Sequence, residues 1–239
     1  MMLVKEMYPC QKVPVVVLSR RCGKPCLYCD LYNKKFSDDE ILANGKAEIL
    51  KEIIKYNGAY FSAVTDCFLG ENAEETHDLL ESIWKLKEDF VPLLVTKYII
   101  PDKTIDLIAN NKHRVVVQIS VPCLNENLVS ILEPGAASIK DRLETIKKLT
   151  DKGVKVLAVV MPWFNIYENE FIDLPKALSD VGVRKIFLGT GILPPEQKEK
   201  ILNTNNELLI NAINKMTEIK IAITKTGYTP STKDRIEMF

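Results

Sequence analysis

The chain has little histidine and no net charge, and each shortage excludes a class of protein. Only two histidines occur in 239 residues, His77 and His113, so a metal site built from imidazoles is not expected. Lysine plus arginine equals aspartate plus glutamate at 32 each, which leaves a formal net charge of +0. The chain as a whole therefore has no attraction to polyanions or anionic membranes, although a local patch for nucleic acid stays open.

Long apolar runs are also missing. The N-terminal region has only a short apolar stretch interrupted by Pro14, too short to span a membrane and without the pattern of a cleaved signal peptide. We therefore expect no membrane partner and a cytoplasmic location. Of the six cysteines, three fall within one short segment and the others lie apart at Cys10, Cys67 and Cys123. This spacing favours a reducing compartment and a metal site over disulfides.

Short β-branched runs alternate with longer amphipathic segments, which is the pattern of parallel βα units. Six apolar runs predict strands that are buried on both faces. They are Val13–Leu18, Tyr60–Phe68, Pro92–Thr96, Val115–Val121, Val154–Met161 and Lys185–Leu188. No GxGxxG follows the first run, which argues against a dinucleotide-binding fold. We predict an α/β fold, a partial (βα)6 TIM-type barrel with its active site at the carboxyl ends of the strands.

Helical spacing of apolar residues predicts a first helix from Asp38 to Tyr56, after a start signal at Ser37. Further helices are predicted at Ala73–Leu86, Thr104–Asn110, Ser138–Lys152, Ile172–Ser179 and Asn205–Ile219. No linker, repeat or low-complexity tract divides the chain, so we expect one domain over residues 1–239. Its parts are a core over 13–190, a cysteine loop over 20–36 and a C-terminal helical extension over 191–239.

The loop after the first predicted strand reads SRRCGKPCLYCDLYNKKF and presents Cys22, Cys26 and Cys29 as CxxxCxxC. One short loop of this spacing can supply three ligands to a [4Fe-4S] cluster. Because such clusters normally take four thiolates, one iron is left open, as in catalytic metal sites. The alternative is a zinc knuckle with Cys10 as the fourth ligand.

The CxxxCxxC motif has an aromatic residue, Tyr28, directly before its last cysteine, and it follows the first strand of a βα repeat. In this context it resembles the signature of the radical S-adenosylmethionine (SAM) superfamily. The resemblance implies an enzyme in which SAM binds the open iron and is cleaved reductively to a 5′-deoxyadenosyl radical that abstracts hydrogen from a substrate. It also implies an external electron donor of the flavodoxin or ferredoxin type. The alternative from another class is a zinc- or iron-sulfur-binding sensing module without turnover.

Three further segments resemble the spore photoproduct lyase branch and the DNA repair photolyase-like proteins grouped with it. They are VTDCFLGEN, PLLVTK and ILEPGAASIKDRLETIKKLTDKGVKVLAVVMP, and the similarity covers residues 13–190. By position, the resemblance implies that Thr65 and Lys97 contact the methionyl group of SAM. It also implies that Glu71 meets the SAM ammonium and that Ser120 and Arg142 bind the SAM carboxylate.

The chain departs from spore photoproduct lyase in two respects. The cysteine with which that enzyme returns a hydrogen atom aligns near Val64, whereas this chain has Cys67 a little further on. Cys67 and Cys123, both near strand ends, are the candidates for hydrogen-atom donation. The segment that helps to hold the DNA lesion has no counterpart in 201–239, so a lyase activity is not carried over. The substrate, whether a nucleic-acid lesion, a peptide or a small metabolite, is left unassigned, and no second CxxC motif indicates an auxiliary cluster.

Overall fold

In a computed structural model the chain forms one eight-stranded sheet with helices in the connections between strands. The structure describes residues 1–5, 13–29, 31–62, 64–161, 170–188 and 207. The strands are β1 (Met2–Val4), β2 (Val15–Val17), β3 (Ile41–Asn44), β4 (Gly58–Phe61), β5 (Val91–Thr96), β6 (Val116–Ser120), β7 (Val156–Val160) and β8 (Lys185–Leu188). Their order in the sheet is β3-β1-β2-β4-β5-β6-β7-β8.

The six predicted strands are present as β2 and β4 to β8, and every neighbouring pair among them is parallel. This confirms the α/β fold. All five residues of β7 are buried, as expected for a parallel strand covered on both faces. Helix and sheet side chains share one core, in which Phe61, Leu80 and Ile119 are fully buried.

Six helices are found within the described ranges. They are α1 (Lys46–Ile53), α2 (Asn72–Leu86), α3 (Asp102–Asn110), α4 (Glu126–Leu132), α5 (Ile139–Asp151) and α6 (Glu170–Asp180). Helix α5 begins where its sequence predicts, because the Ser138 side chain caps it by accepting a hydrogen bond from the backbone N–H of Asp141. Within these ranges, none of the helices has the length and apolar character needed to cross a membrane.

The prediction of a helix starting at Asp38 is wrong at its N-terminal end. Ile41–Asn44 forms β3, which pairs antiparallel with β1, and β1 in turn pairs antiparallel with β2. Helix α1 begins only after Gly45, whose φ of 86° no helix accepts. The edge of β1 supplies hydrogen-bond partners for the backbone of Ile41–Asn44. This pairing outweighs the helical preference that the spacing of its apolar residues indicated.

The second predicted strand is too long, because β4 ends at Phe61 rather than Phe68. Ser62 has a φ of 85°, which ends the strand, and residues 64–71 form a loop at the carboxyl edge of the sheet. Helix α4 and the two antiparallel strands are the elements that the sequence analysis missed. The predicted helix at Asn205–Ile219, apart from the helical residue 207, and most of the extension over 191–239 lie outside the described residues.

Candidate functional site

The three motif cysteines lie in the loop that follows β2, at the carboxyl edge of the parallel strands. Cys22, Cys26 and Cys29 are each half-buried. A turn brings the last two together, since the backbone N–H of Cys29 donates to the carbonyl oxygen of Cys26 at 2.9 Å. The N–H of Leu27 donates to the carbonyl of Leu132, the last residue of α4, at 2.8 Å. The cysteine loop is therefore attached to a part of the chain far away in sequence.

The beginning of the cysteine loop is fixed by Asn72, the first residue of α2. Its fully buried side chain accepts a hydrogen bond from the N–H of Arg20 and donates to the carbonyl of the same residue, at 2.9 and 2.8 Å. It also donates to the carbonyl of Asp66 at 2.9 Å. One amide thus joins the cysteine loop to the loop after β4. Sequence reasoning missed Asn72, because an Asn following a Gly-Glu pair reads as an ordinary helix start.

The end of the same loop is closed by Arg21. Its guanidinium donates to the carbonyl oxygens of Tyr32 and Lys34, at 3.0 and 3.1 Å. The Arg21 side chain therefore holds the shape of the loop.

Thr65 and Asp66 bring the loop after β4 against the cysteines. Thr65 is buried, and its hydroxyl oxygen accepts the N–H of Leu18 at 3.1 Å, which joins this loop to the end of β2. The Asp66 carboxylate accepts hydrogen bonds from the Thr96 hydroxyl at 2.6 Å and from the N–H groups of Phe68 and Lys97 at 3.0 and 2.8 Å. Asp66 was not singled out from the sequence, yet it joins this loop to the end of β5.

Lys97, the residue after β5, carries the cation of the site. Its Nζ lies 3.9 Å from Glu133 Oε1 and 5.3 Å from the centre of the Tyr28 ring. Burial by itself lowers the pKa of Lys97, but the nearby acidic groups, Glu133 above all, outweigh that effect and raise it. Lys97 therefore stays protonated at neutral pH.

Glu133 and Arg142 form a buried ion pair behind the cysteine loop. Both side chains have 0% exposure, and Arg142 Nη1 lies 2.6 Å from Glu133 Oε2. The guanidinium also donates to the carbonyls of Ala137 and Ser120, each at 2.9 Å. The hydroxyl of Tyr28 donates to Glu133 Oε1. Among the described residues, Arg142 Nη2 has no hydrogen-bond partner.

Burial raises the pKa of two of the loop thiols. The pKa of Cys22 is raised chiefly by desolvation, while a hydrogen bond from the backbone of Asp66 lowers it. Desolvation raises the pKa of Cys26 to about 11, against a lowering contribution from the charge of Lys97. Both thiols therefore hold their protons at neutral pH until a metal displaces them, since thiolates are the metal-binding form.

The donor set fits an iron-sulfur cluster. In the part of the chain that the structure describes, no three His, Cys, Asp or Glu side chains converge on one point as the ligands of a single metal ion would. A four-iron cluster requires no such convergence, because each thiolate binds a different iron. Three half-buried thiols on one loop, with the Lys97 cation nearby, match that requirement.

The structure brings only some of the predicted site residues together. Thr65 and Lys97 lie beside the cysteines at the carboxyl edge of the sheet. Glu71, in contrast, is exposed, and its carboxylate lies 2.6 Å from Arg20 Nη2. Ser120 is buried and presents its carbonyl to Arg142. The predicted contacts of all these side chains with SAM stay predictions.

The two candidate hydrogen donors, Cys67 and Cys123, are both buried. The Cys67 thiol faces the carbonyl of Val95 at 3.5 Å, and its backbone N–H donates to the Ser62 hydroxyl at 2.6 Å. Cys10, the fourth ligand of the zinc alternative, lies outside the described residues.

The fold and the loop together define a class, that of βα-barrel proteins with a three-cysteine motif after the first parallel strand. The sequence model of the Radical SAM superfamily matches residues 16–176. The chain belongs to this superfamily, whose members use a [4Fe-4S] cluster and SAM.

Solved structures with the same fold include spore photoproduct lyase, as the sequence resemblance had indicated. A variant of that lyase with bound AdoMet and dinucleoside spore photoproduct is similar at a TM-score of 0.62 and 19% identity, covering 85% of this chain and 64% of the lyase. The lyase complexed with dinucleoside spore photoproduct has a TM-score of 0.56 and 21% identity, and the match covers 73% of this chain and 54% of the lyase. SuiB of Streptococcus suis bound to SAM has a TM-score of 0.51 and 15% identity, and the match covers 70% of this chain and 37% of SuiB.

Among curated proteins, the uncharacterized protein ORF301 of Acidianus two-tailed virus is 36% identical over 101 residues. That match covers 40% of this chain and 34% of the viral protein. The chain thus matches about a third of this relative and about half to two thirds of the lyase.

Proposed function

We propose that the chain is a radical SAM enzyme that binds a [4Fe-4S] cluster through Cys22, Cys26 and Cys29. When bound and reduced by one electron from an external donor, the cluster would, together with SAM, supply a 5′-deoxyadenosyl radical for hydrogen abstraction from the substrate. The observation that carries the proposal is the three-cysteine loop at the carboxyl edge of the parallel sheet, beside Lys97 and Asp66. In barrels of this type, the active site is built at that edge.

The cysteine loop suits an open iron site. It offers three thiols where a four-iron cluster takes four ligands, so one iron would remain for SAM to bind. Lys97 stabilises negative charge at the site, since its ammonium opposes the rise in pKa that burial causes at Cys22 and Cys26. The half-buried setting limits the access of water to the cluster and strengthens these charge interactions.

We propose that Lys97 binds the SAM carboxylate, because a charge-assisted bond in a partly dry site is strong. Among the described residues, Lys97 Nζ is found to donate no hydrogen bond, which leaves its donors available to a ligand. Among the residues that the structure describes, the Thr65 hydroxyl is found only as the acceptor for Leu18, which leaves its proton for a ligand oxygen. Arg142 can contribute through Nη2 alone.

Two further proposals concern groups around the chemistry. Cys67 or Cys123 is the proposed hydrogen-atom donor, and Glu71 is retained as a candidate for the SAM ammonium only if it leaves Arg20. The proposed reductant is a flavodoxin- or ferredoxin-like protein. The cysteine content favours the reducing cytoplasm. The likeness to spore photoproduct lyase concerns the fold, and the substrate is left unassigned.

The test is an anaerobic reconstitution followed by assays of iron, sulfide, zinc and 5′-deoxyadenosine release with dithionite and SAM. We expect about four irons per chain, as for other cysteine-bound cubanes, and release of 5′-deoxyadenosine. The variant Cys26→Ala should lose both, while the matched variant Cys67→Ala, which changes a buried cysteine outside the loop, should keep its iron. Zinc in place of iron, with no 5′-deoxyadenosine, would favour the sensing module and refute the proposal.

A further inference from the structure

Glu133 is a buried carboxylate at the carboxyl end of α4, and no role had been given to it. Its side chain has 0% exposure. Three groups from three distant segments surround it. Tyr28 Oη donates to Oε1, Arg142 Nη1 lies 2.6 Å from Oε2, and Lys97 Nζ lies 3.9 Å from Oε1. A carboxylate therefore stands where the cysteine loop, the end of β5 and helix α5 meet.

Backbone bonds on both sides fix Glu133 in this position. The carbonyl of the preceding residue, Leu132, accepts the N–H of Leu27 in the cysteine loop at 2.8 Å. Four residues after Glu133, the N–H of Ala137 donates to the carbonyl of Lys97 at 3.0 Å. The segment around Glu133 is thus joined both to the residues that carry the thiols and to the residue that carries the ammonium. Movement of the carboxylate would disturb both.

The charges around Glu133 are unequally shared. Arg142 makes the close charge contact at 2.6 Å, and its Nε and Nη1 donate to two carbonyl groups of the protein. Lys97 Nζ lies 3.9 Å from Glu133 Oε1, which is beyond hydrogen-bond distance. The same ammonium lies over the Tyr28 ring as a cation–π partner. Glu133 therefore attracts the Lys97 ammonium without using its donors.

We propose that Glu133 is a positioning residue that holds the Lys97 ammonium and the Tyr28 ring in the arrangement that receives the SAM carboxylate. This inference rests on the proposed function, in which Lys97 binds that carboxylate. It also gives a role to the contact between Tyr28 of the cysteine motif and Glu133 of the LEPG segment.

The test combines Glu133→Gln with Lys97→Met, singly and together, in the reconstituted full chain. The substitution Glu133→Gln keeps the shape of the side chain and removes its charge. Iron and sulfide per chain are measured first, and SAM affinity is then obtained by titrating the EPR signal of the reduced cluster. We expect Glu133→Gln to keep the cluster and to weaken SAM binding by roughly ten- to a hundredfold, the effect of one charge-assisted contact. In the Lys97→Met background it should cause no further loss, because Glu133 acts through Lys97.

The matched control is Glu126→Gln, since Glu126 also belongs to this segment. Its carboxylate accepts the N–H groups of Ile139 and Lys140 at the start of α5, each at 3.0 Å. The control variant therefore weakens the same segment without altering the charges that face Lys97, and its SAM affinity should equal that of the wild type. A reduced SAM affinity in Glu126→Gln as well would show that the stability of this segment, and not the charge of Glu133, sets the affinity, and it would contradict the inference.

Each outcome distinguishes the inference from the proposed function. A normal SAM affinity in Glu133→Gln, or a loss that adds fully to that of Lys97→Met, would overturn the inference alone. A normal affinity in Lys97→Met would refute the proposed role of Lys97. If Glu133→Gln yields no folded protein, Tyr28→Phe removes one contact of the carboxylate without changing any charge. It should weaken SAM binding by a few-fold, and an unchanged affinity in that variant would also contradict the inference.

Discussion

The buried pair of Arg142 and Glu133 makes a strong prediction for Arg142→Met. Methionine fills much of the space of the arginine stem, so the substitution removes the charge with little change in packing. It also removes two hydrogen bonds to carbonyl groups and the 2.6 Å contact with the carboxylate. The Glu133 side chain, with 0% exposure, is left without its principal cation.

The expected cost is large because water cannot reach the unpaired carboxylate. Breaking a buried ion pair by removing one partner costs about 3–5 kcal/mol in the free energy of unfolding. The double variant Arg142→Met with Glu133→Gln should recover part of that loss, since no unpaired charge remains. On the exposed side of the same helix, Lys147 pairs with Asp151 at 3.0 Å. Lys147→Met should cost less than about 1 kcal/mol.

The assay is denaturant unfolding of the metal-free protein under reducing conditions. The wild type, the two single variants and the double variant are compared with the same dependence of unfolding free energy on denaturant concentration. Equal losses in Arg142→Met and Lys147→Met would show that Arg142 is not held in a buried pair. A double variant less stable than Arg142→Met would show that the carboxylate is not the source of the cost.

Three further predictions concern the cysteine loop. Replacing any one of Cys22, Cys26 or Cys29 with Ala should remove most of the iron and the broad visible absorption of the reconstituted protein, measured by iron analysis and spectroscopy. In the metal-free protein, alkylation of Cys26, followed by mass spectrometry, should accelerate as the pH rises toward its pKa of about 11. The folded state holds this proton more tightly than a thiol of ordinary pKa 9.0 does. The contribution of Cys26 to the free energy of unfolding should therefore be lost as the pH rises from 9.0 to about 11. Asn72→Asp should cost about 1–3 kcal/mol in unfolding free energy and lower iron retention, because an acidic oxygen then faces the carbonyls of Arg20 and Asp66.

The sequence was sufficient for the parallel part of the fold. Strands such as Val156–Val160 are buried on both faces, so their apolar runs are continuous and easily recognised. It was insufficient for β1 and β3, since strands of three and four residues have too little pattern of their own and exist through pairing with each other. The same applies to α4, a helix of seven residues.

The site was predictable to the extent that its chemistry lies within one segment. The cysteine spacing indicated an iron-sulfur loop, and Lys97 was expected near it from the resemblance alone. Asp66, Asn72 and Glu133 could not be found in this way, because each acts through hydrogen bonds to residues far along the chain. A buried Asn or Glu gives no signal in the sequence that distinguishes it from an exposed one.

The contacts that hold the cysteine loop bear on the order of folding and cluster insertion. Tyr28 bonds to a residue 105 positions later, Arg20 to one 52 positions later, and Leu18 to one 47 positions later. Contacts of such long range form late in folding, since the chain entropy of closing each loop must be overcome first. A nascent chain that has emerged only as far as α3 carries all three motif cysteines but lacks the carboxylate of Glu133. We therefore expect cluster insertion to follow the folding of the barrel, in contrast to zinc fingers, in which metal binding itself drives folding.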